Sequence, residues 1–391
     1  MSERSFPCVA AGILRTAIED RFPTKRRLTV LLAAAALLAA SSPVLGTDVL
    51  YQITDLGLLP GYTSAIGLAI NASGRVTGQD TTSGDSYAAF FYSDGGLTGL
   101  GTLPGLTNSS GRAINNAGQI VGIAYNGDGP IRGFLYGGGT MTDLGILPGY
   151  YRVTPNGIND GAQITGEVEA SNGVSQAFLC SGGVMTGLGI LPGYQLSRAF
   201  GINNNAQIVG YNYSTSNGVA HAFIYSNGTM TDIGTLPGGR TTYGYAINAA
   251  GDITGQAISI NDVGHAFLYH AGTMFDLGAL QGYPDAEGNS INDNGDVAGT
   301  AFATNGTYHA FLYHGGAMHD LNSLINPSSG WVLDDAEGIN DQGQITGVGE
   351  IDGAFHAFLL TAIPEPSAKG LAVACLAGFL FYRCRRALQN C

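Results

Sequence analysis

Between residues 47 and 362 this 391-residue chain has no lysine, one cysteine and one tryptophan, and almost none of the patterning that marks helices. Each shortage excludes something. Without lysine, the segment sets six Arg against 25 Asp plus Glu, a net charge of −19, more acidic than the −13 of the whole chain. A surface of that sign repels nucleic acid and anionic lipid and favours cations or neutral ligands. With Cys180 alone there, no disulfide can form inside the segment, so its stability has to come from packing. Few helix signals and 61 glycines in the chain fit many short strands joined by tight turns.

What is there is a repeat. An Ile-Asn pair recurs with its Asn at 71, 115, 159, 203, 248, 292 and 340, at spacings of 44, 44, 44, 45, 44 and 48 residues. A second marker, Asp-Leu/Ile-Gly, places Asp55, Asp143, Asp232, Asp276 and, with Asn for the Gly, Asp320, while Gly99 and Gly187 stand at the Asp position of the other two copies. Self-similarity at this period means a solenoid, a propeller or an array. Within one unit the alternation of side chains reads as four strands: A over Arg198 to Ile202, B over Gln207 to Tyr213, C over Ala220 to Tyr225 and D over Thr229 to Ile233. Four strands in about 44 residues is the size of a propeller blade.

The two ends of the periodic region sharpen this. Its first strand, Tyr51 to Leu56, is a D strand and its last, His356 to Leu360, is a C strand. Neither has its hairpin partner beside it. Pairing the two completes a seventh blade and hides the sheet edges that would otherwise invite aggregation. The sequence therefore predicts an all-β, seven-bladed propeller over residues 47–362, with an open or curved β array as the alternative.

The flanks carry different signals. Lys25-Arg26-Arg27, the apolar run Leu28 to Ala40 and then Ser, Pro and Gly up to Gly46 read as a secretory signal over residues 1–46, with a long stretch before the basic cluster. Residues 363–391 hold Pro364-Glu365-Pro366, an apolar stretch from Leu371 to Tyr382, and Arg383, Arg385 and Arg386. This order resembles the PEP-CTERM sorting signal of bacteria. The resemblance implies export, transient or stable anchoring in the inner membrane through the apolar segment, and an exosortase-type processing enzyme as partner. A plain C-terminal membrane anchor is the alternative. The copies HAFIYSNGTMTDIGTLPG, HAFLYHAGTMFDLGALQG and HAFLYHGGAMHDL likewise resemble the HAF repeat of bacterial extracellular proteins, over residues 49–361. The early copies depart from it, with Ala88, Arg132 and Gln176 at the His position. That family implies a cell-surface or extracellular location and an architecture, but no chemistry.

No catalytic, cofactor-binding or metal-binding residue can be assigned. Gly-x-Ser-x-Gly, His-Glu-x-x-His and the phosphate-cradling Gly-rich loop are absent. His221, His265, His309 and His356 recur one per blade, too dispersed for one ion, and are expected to bond a neighbouring strand or turn. The recurrent Asp is expected to cap a turn. The Asn-Asp-x-Gly turns at Asn292 and Asn340 share a feature with calcium loops but lack their 12-residue ligand series, so Ca²⁺ is the one ion left open.

Topology selects a face. The B–C and D–A loops share one side of the ring, and they vary while the A–B turns do not. The D–A loops present Tyr62, Tyr150, Tyr194, Tyr283 and Trp331. Beside carboxylates and Asn these suit a neutral polysaccharide; the alternative is that the rings wedge between blades. The expected function is binding or structural, with a glycosidase or lyase on the same scaffold as the alternative. Carboxylates converging in the central funnel, about 5–9.5 Å apart for a glycosidase, would tell them apart, and a pair there with raised pKa would speak against a protein that only binds.

Overall fold

A computed structural model of the chain describes residues 51–363 apart from Asp128. The expected leader and the sorting motif, Pro364, Glu365, Pro366, Arg383, Arg385 and Arg386, lie outside the described residues. Among the described residues no helix is long and apolar enough to cross a membrane.

The described residues form 28 strands in seven four-stranded antiparallel sheets, the blades of a β-propeller. Blade 1 is β1's successor hairpins, β2 (Ser64–Ile70), β3 (Val76–Thr81), β4 (Tyr87–Ser93) and β5 (Gly96–Gly99), β1 itself being Tyr51–Asp55. Blade 2 is β6 (Asn108–Ile114), β7 (Ile120–Tyr125), β8 (Arg132–Gly137) and β9 (Thr140–Asp143). Blade 3 is β10 (Arg152–Ile158), β11 (Ile164–Glu169), β12 (Ser175–Ser181) and β13 (Val184–Gly189). Blade 4 is β14 (Leu196–Ile202), β15 (Ile208–Ser214), β16 (Val219–Ser226) and β17 (Thr229–Asp232). Blade 5 is β18 (Gly239–Ile247), β19 (Ile253–Ser259), β20 (Gly264–His270) and β21 (Thr273–Asp276). Blade 6 is β22 (Asp285–Ile291), β23 (Val297–Phe302), β24 (Tyr308–His314) and β25 (Ala317–Asp320). Blade 7 joins β26 (Val332–Ile339), β27 (Ile345–Ile351) and β28 (Ala354–Ala362) to β1.

The predicted seam is therefore present. β1 pairs antiparallel with β28 from Tyr51↔Ala362 to Asp55↔Phe358, so the first D strand and the last C strand close the ring. The strands expected in blade 4 lie where the alternation placed them, with A starting at Leu196 rather than Arg198.

Two recurrent residues explain why the repeat folds this way. The Phe of each C strand, Phe90, Phe134, Phe178, Phe223, Phe267, Phe311 and Phe358, is fully buried and anchors its blade. The Asn of each Ile-Asn pair does two jobs in the A–B turn. Its Oδ1 accepts the N–H four residues on, as Asn340 does from Gln344, which fixes the turn. Its Nδ2 donates to the backbone carbonyl of the next blade's Asn: 71 to 115, 115 to 159, 159 to 203, 203 to 248, 248 to 292 and 292 to 340, all at 3.0–3.1 Å. Asn340 then donates to Asn71 at 3.0 Å and closes the circle. These buried amides bond both their own turn and the next blade, so every blade is tied to the next.

Candidate functional site: the central channel

The innermost strands β2, β6, β10, β14, β18, β22 and β26 each skip one residue at the same place against their partner strand, and β18 and β26 skip a second nearer their start. The register skips between Gly67 and Ala69, Gly111 and Ala113, Pro155 and Gly157, Ala199 and Gly201, Gly244 and Ala246, Gly288 and Ser290, and Ala336 and Gly338. The skipped residue is a β-bulge, which leaves the ladder and re-aims its side chain. The skipped residues are Leu68, Arg112, Asn156, Phe200, Tyr245, Asn289 and Glu337, one per blade. The facing B strand must hold a glycine for this to work. At Gly210 a Cβ would stand 1.9 Å from the Arg198 carbonyl oxygen, and the other six blades have the same approach at 1.9–2.0 Å.

All seven bulged side chains, joined by Glu287 and Asp335 two residues earlier on β22 and β26, line one cavity of about 310 Å³ in the channel. Its two sides differ. Phe200 and Tyr245 make an aromatic wall, centroids 5.6 Å apart and edge to face, backed by Tyr211 and Tyr243, which meet edge to face at 4.8 Å. Blades 6 and 7 supply Glu287, Asn289, Asp335 and Glu337.

On that polar side the groups are bonded to one another. Asn289 Nδ2 donates to Asp335 Oδ1 at 3.0 Å and to the Ala336 carbonyl at 3.2 Å, and the Thr300 hydroxyl also donates to Asp335. Glu337 and Asp335 are hydrogen-bonded side chain to side chain. Burial, and then the charges of Asp335 and Glu287, push Glu337 well above the usual carboxylate range, so it carries the proton and donates it to Asp335. Burial also raises Asp335, opposed by the bonds it accepts from Thr300, Glu337 and Asn289. Glu287 is pushed up to about 7, by burial first and then by the Asp335 charge. Burial and the Glu287 charge raise Tyr245. Arg112 lines the cavity, and Arg198 stands two residues before Phe200 on β14. Arg198 is committed to Glu167, Nε to Oε2 at 2.7 Å. Arg112, whose pKa burial lowers, donates from Nη1 to Asn156 at 3.4 Å, and its Nε has no acceptor.

The recurrent His and Asp, read separately in the sequence, are one device. His221 Nδ1 meets Asp232 at 2.8 Å, His265 meets Asp276 at 2.9 Å, His309 meets Asp320 at 2.8 Å, and His356 meets Asp55 at 2.9 Å across the seam. Each such Asp also accepts the N–H two residues on, the turn cap expected of it. In the copy with Arg132 the guanidinium takes over the bond to Asp143. The copies that lack the Asp, at Gly99 and Gly187, are those with Ala88 and Gln176 in place of a cation. That paired loss is the signal in the sequence that reading each column alone misses. His270 and His314 pair with Asp252 and Asp296 of the A–B turns, both at 2.7 Å. Among the described residues no group of three His, Cys, Asp or Glu side chains could hold a metal ion.

The loop aromatics sit over these pairs instead of converging. Tyr194 lies 5.8 Å from the His221 ring, Tyr283 4.5 Å from His309 and Trp331 6.3 Å from His356, while the Tyr150 hydroxyl donates to Gln176 at 2.7 Å. All four and Tyr62 are half-buried. Each belongs to its own blade, so the five are distributed around the ring. The channel residues were not singled out from the sequence, because they occupy a column of the inner strand that shares almost nothing from copy to copy, Asn156 and Asn289 being its one repeated residue type.

No family model and no curated protein matches the chain. Solved structures do match. The chain is similar to the oligogalacturonate lyase of Vibrio parahaemolyticus, at TM-score 0.55 and 9% identity over 82% of this chain and 95% of that one. It is similar to the β-propeller domain of the Trilobed protease of Pyrococcus furiosus, which has an open velcro topology, at TM-score 0.51 and 9% identity over 76% and 93%. It is also similar to TolB of Acinetobacter baumannii, at TM-score 0.44 and 14% identity, covering 74% of this chain but spanning only 64% of TolB. Identities this low speak for the shared propeller fold alone.

Proposed function

We propose that this protein is an exported, surface-associated binding propeller that takes a small saccharide unit in its central channel. One observation carries the reading: seven side chains, each expelled from its sheet by a bulge, converge on a cavity with an aromatic wall on one side and amide and carboxyl groups on the other. An aromatic face that stacks a sugar ring and planar hydrogen-bonding groups that read its hydroxyls are the two components such a ligand needs. The volume of about 310 Å³ falls at the small end of ligand pockets, roughly 300–1,000 Å³. The acidic surface suits a neutral or cationic ligand, and the leader and tail read in the sequence support export and processing by an exosortase-type enzyme. The HAF-repeat resemblance agrees with that location.

A carbohydrate-active enzyme is the second reading, favoured by three channel carboxylates that hold protons unusually tightly. It takes second place because Asp335 and Glu337 touch through a hydrogen bond, closer than the 5–9.5 Å between the paired carboxyls of a glycosidase. A glycan array with the full chain, repeated with Tyr245→Ala, tests binding: signal lost in the variant is expected, and a variant that binds as the parent does would remove the channel from the reading. Release of reducing ends or unsaturated products from bound glycans, abolished by Glu287→Gln, would put the enzyme first.

A further inference from the structure

The channel's charges do not balance within the channel. Glu287, Asp335 and Glu337 line one side of the cavity, and the bonds that Asp335 accepts come from Thr300, Asn289 and Glu337, all uncharged donors. Arg198 is engaged on Glu167, which leaves Arg112, bonded to Asn156 within the same cavity, as one guanidinium against three carboxyl groups. Burying carboxylates this way costs stability, and a proton on Glu337 is what makes the arrangement tolerable. The aromatic wall beside them, Phe200 and Tyr245 of blades 4 and 5, is of the kind that attracts a cation once water is excluded. A cavity that sets three carboxyl groups and an aromatic wall against a single guanidinium, Arg112, has room for a further positive group that arrives with the ligand.

We infer that the saccharide unit taken by the channel carries a primary ammonium group, an amino sugar, held by Glu287, Asp335 and Glu337 while its ring lies against Tyr245 and Phe200. This rests on the saccharide reading above and adds the charge of the ligand to it. The ammonium replaces the shared proton: Glu337 gives its proton to solvent and accepts hydrogen bonds from the ligand nitrogen, so that uptake of one cation is accompanied by release of a proton. The groups facing the pair are Glu287 and Asn289 from β22, Thr300 from β23, Tyr245 from β18 and, further round the ring, Arg112 from β6. Glu287, pushed up to about 7, and Glu337, which holds the proton it shares with Asp335, are the members whose proton the ligand can displace. A metal ion fits less well, since aromatic faces do not ligate one and no group of three acids among the described residues could hold one.

Calorimetry on the full chain at pH 7, in two buffers of different ionisation heat, tests this with the β-linked disaccharides of glucosamine, N-acetylglucosamine and glucose, and with CaCl₂. The glucosamine sugar is expected to bind about tenfold or more tighter than the other two, as a charge-assisted hydrogen bond would give, and to release protons. Glu287→Gln and Glu337→Gln, both neutral and isosteric, should erase that preference without lowering the melting temperature, whereas Tyr245→Ala should weaken all three sugars alike. Equal affinity for the three sugars would overturn the ammonium inference and leave the saccharide reading standing. Binding of Ca²⁺ without any sugar, or of no ligand at all, would overturn both.

Discussion

Asp80 offers the cleanest quantitative test of how this ring is held together. Its side chain is fully buried at the end of β3, where Oδ2 accepts the Leu59 N–H of the preceding D–A loop and Oδ1 has no partner. Blade 4 does the same job with an amide: Asn212 Oδ1 accepts the Leu191 N–H at 3.0 Å. The aspartate therefore performs an asparagine's task while carrying a titratable charge. Burial pushes it up to about 6 from 3.8, against the opposing pull of the Leu59 N–H and of His356. A folded-state pKa above the unfolded one means that the contribution to stability is complete below about pH 3.8 and is lost as pH rises through about 6. At roughly 1.4 kcal/mol per unit, the loss by pH 8 is about 3 kcal/mol. Asp80→Asn should thus match the parent near pH 4 and exceed it by about 2–3 kcal/mol at pH 8. Urea denaturation of both proteins at pH 4, 6 and 8 measures the difference directly, since every other titrating group is common to the two. A difference that stays constant across this range, or one that favours the parent at pH 8, would refute the reasoning.

Three further outcomes follow from the fold. Asn340→Ala removes the bond that closes the amide circle and leaves the Gln342 and Gln344 N–H groups of its turn without their acceptor, and should cost about 2–3 kcal/mol in urea denaturation. Gly210→Ala drives a methyl group against the Arg198 carbonyl and should cost at least about 3 kcal/mol, whereas Gly228→Ala, at φ 81° in an open turn, should cost only about 1. His221→Ala breaks a solvent-accessible ion pair and should change stability by no more than about 1 kcal/mol; a larger loss in a double-mutant cycle with Asp232→Ala would give the pair a role beyond the surface.

Much of the architecture was legible because it is what the copies share. The Ile-Asn period gave the blade count, and the unmatched strands at Tyr51 and His356 gave the seam, since a strand without a hairpin partner must find one elsewhere. The site was less legible for the opposite reason. Strand A was read as plain alternation from Arg198 to Ile202, but the bulge at Phe200 breaks that alternation, and backbone register is invisible in a two-residue period. The glycine of Ile-Val-Gly in β15 was the clue: a repeated Gly in a strand interior marks a bulge or a close approach, and here it marks both. The loop aromatics drew attention because Tyr beside Gly and Pro looks exposed, yet Tyr283 and Trp331 rest on the His-Asp pairs. Coupling between those columns was visible only when the two copies that lack the Asp were compared with the copies that lack the cation.

The bulges have a consequence for how such a protein can change. A residue that takes no part in the strand ladder can be exchanged without disturbing the register on either side, so Leu68, Arg112 or Tyr245 can each be replaced while its blade keeps its shape. The seven positions behave like the pins of a lock set in an unchanging barrel: each can be recut alone, and together they set which key enters. A lineage, or an experimenter, could give the same ring a new specificity by altering a single pin at a time.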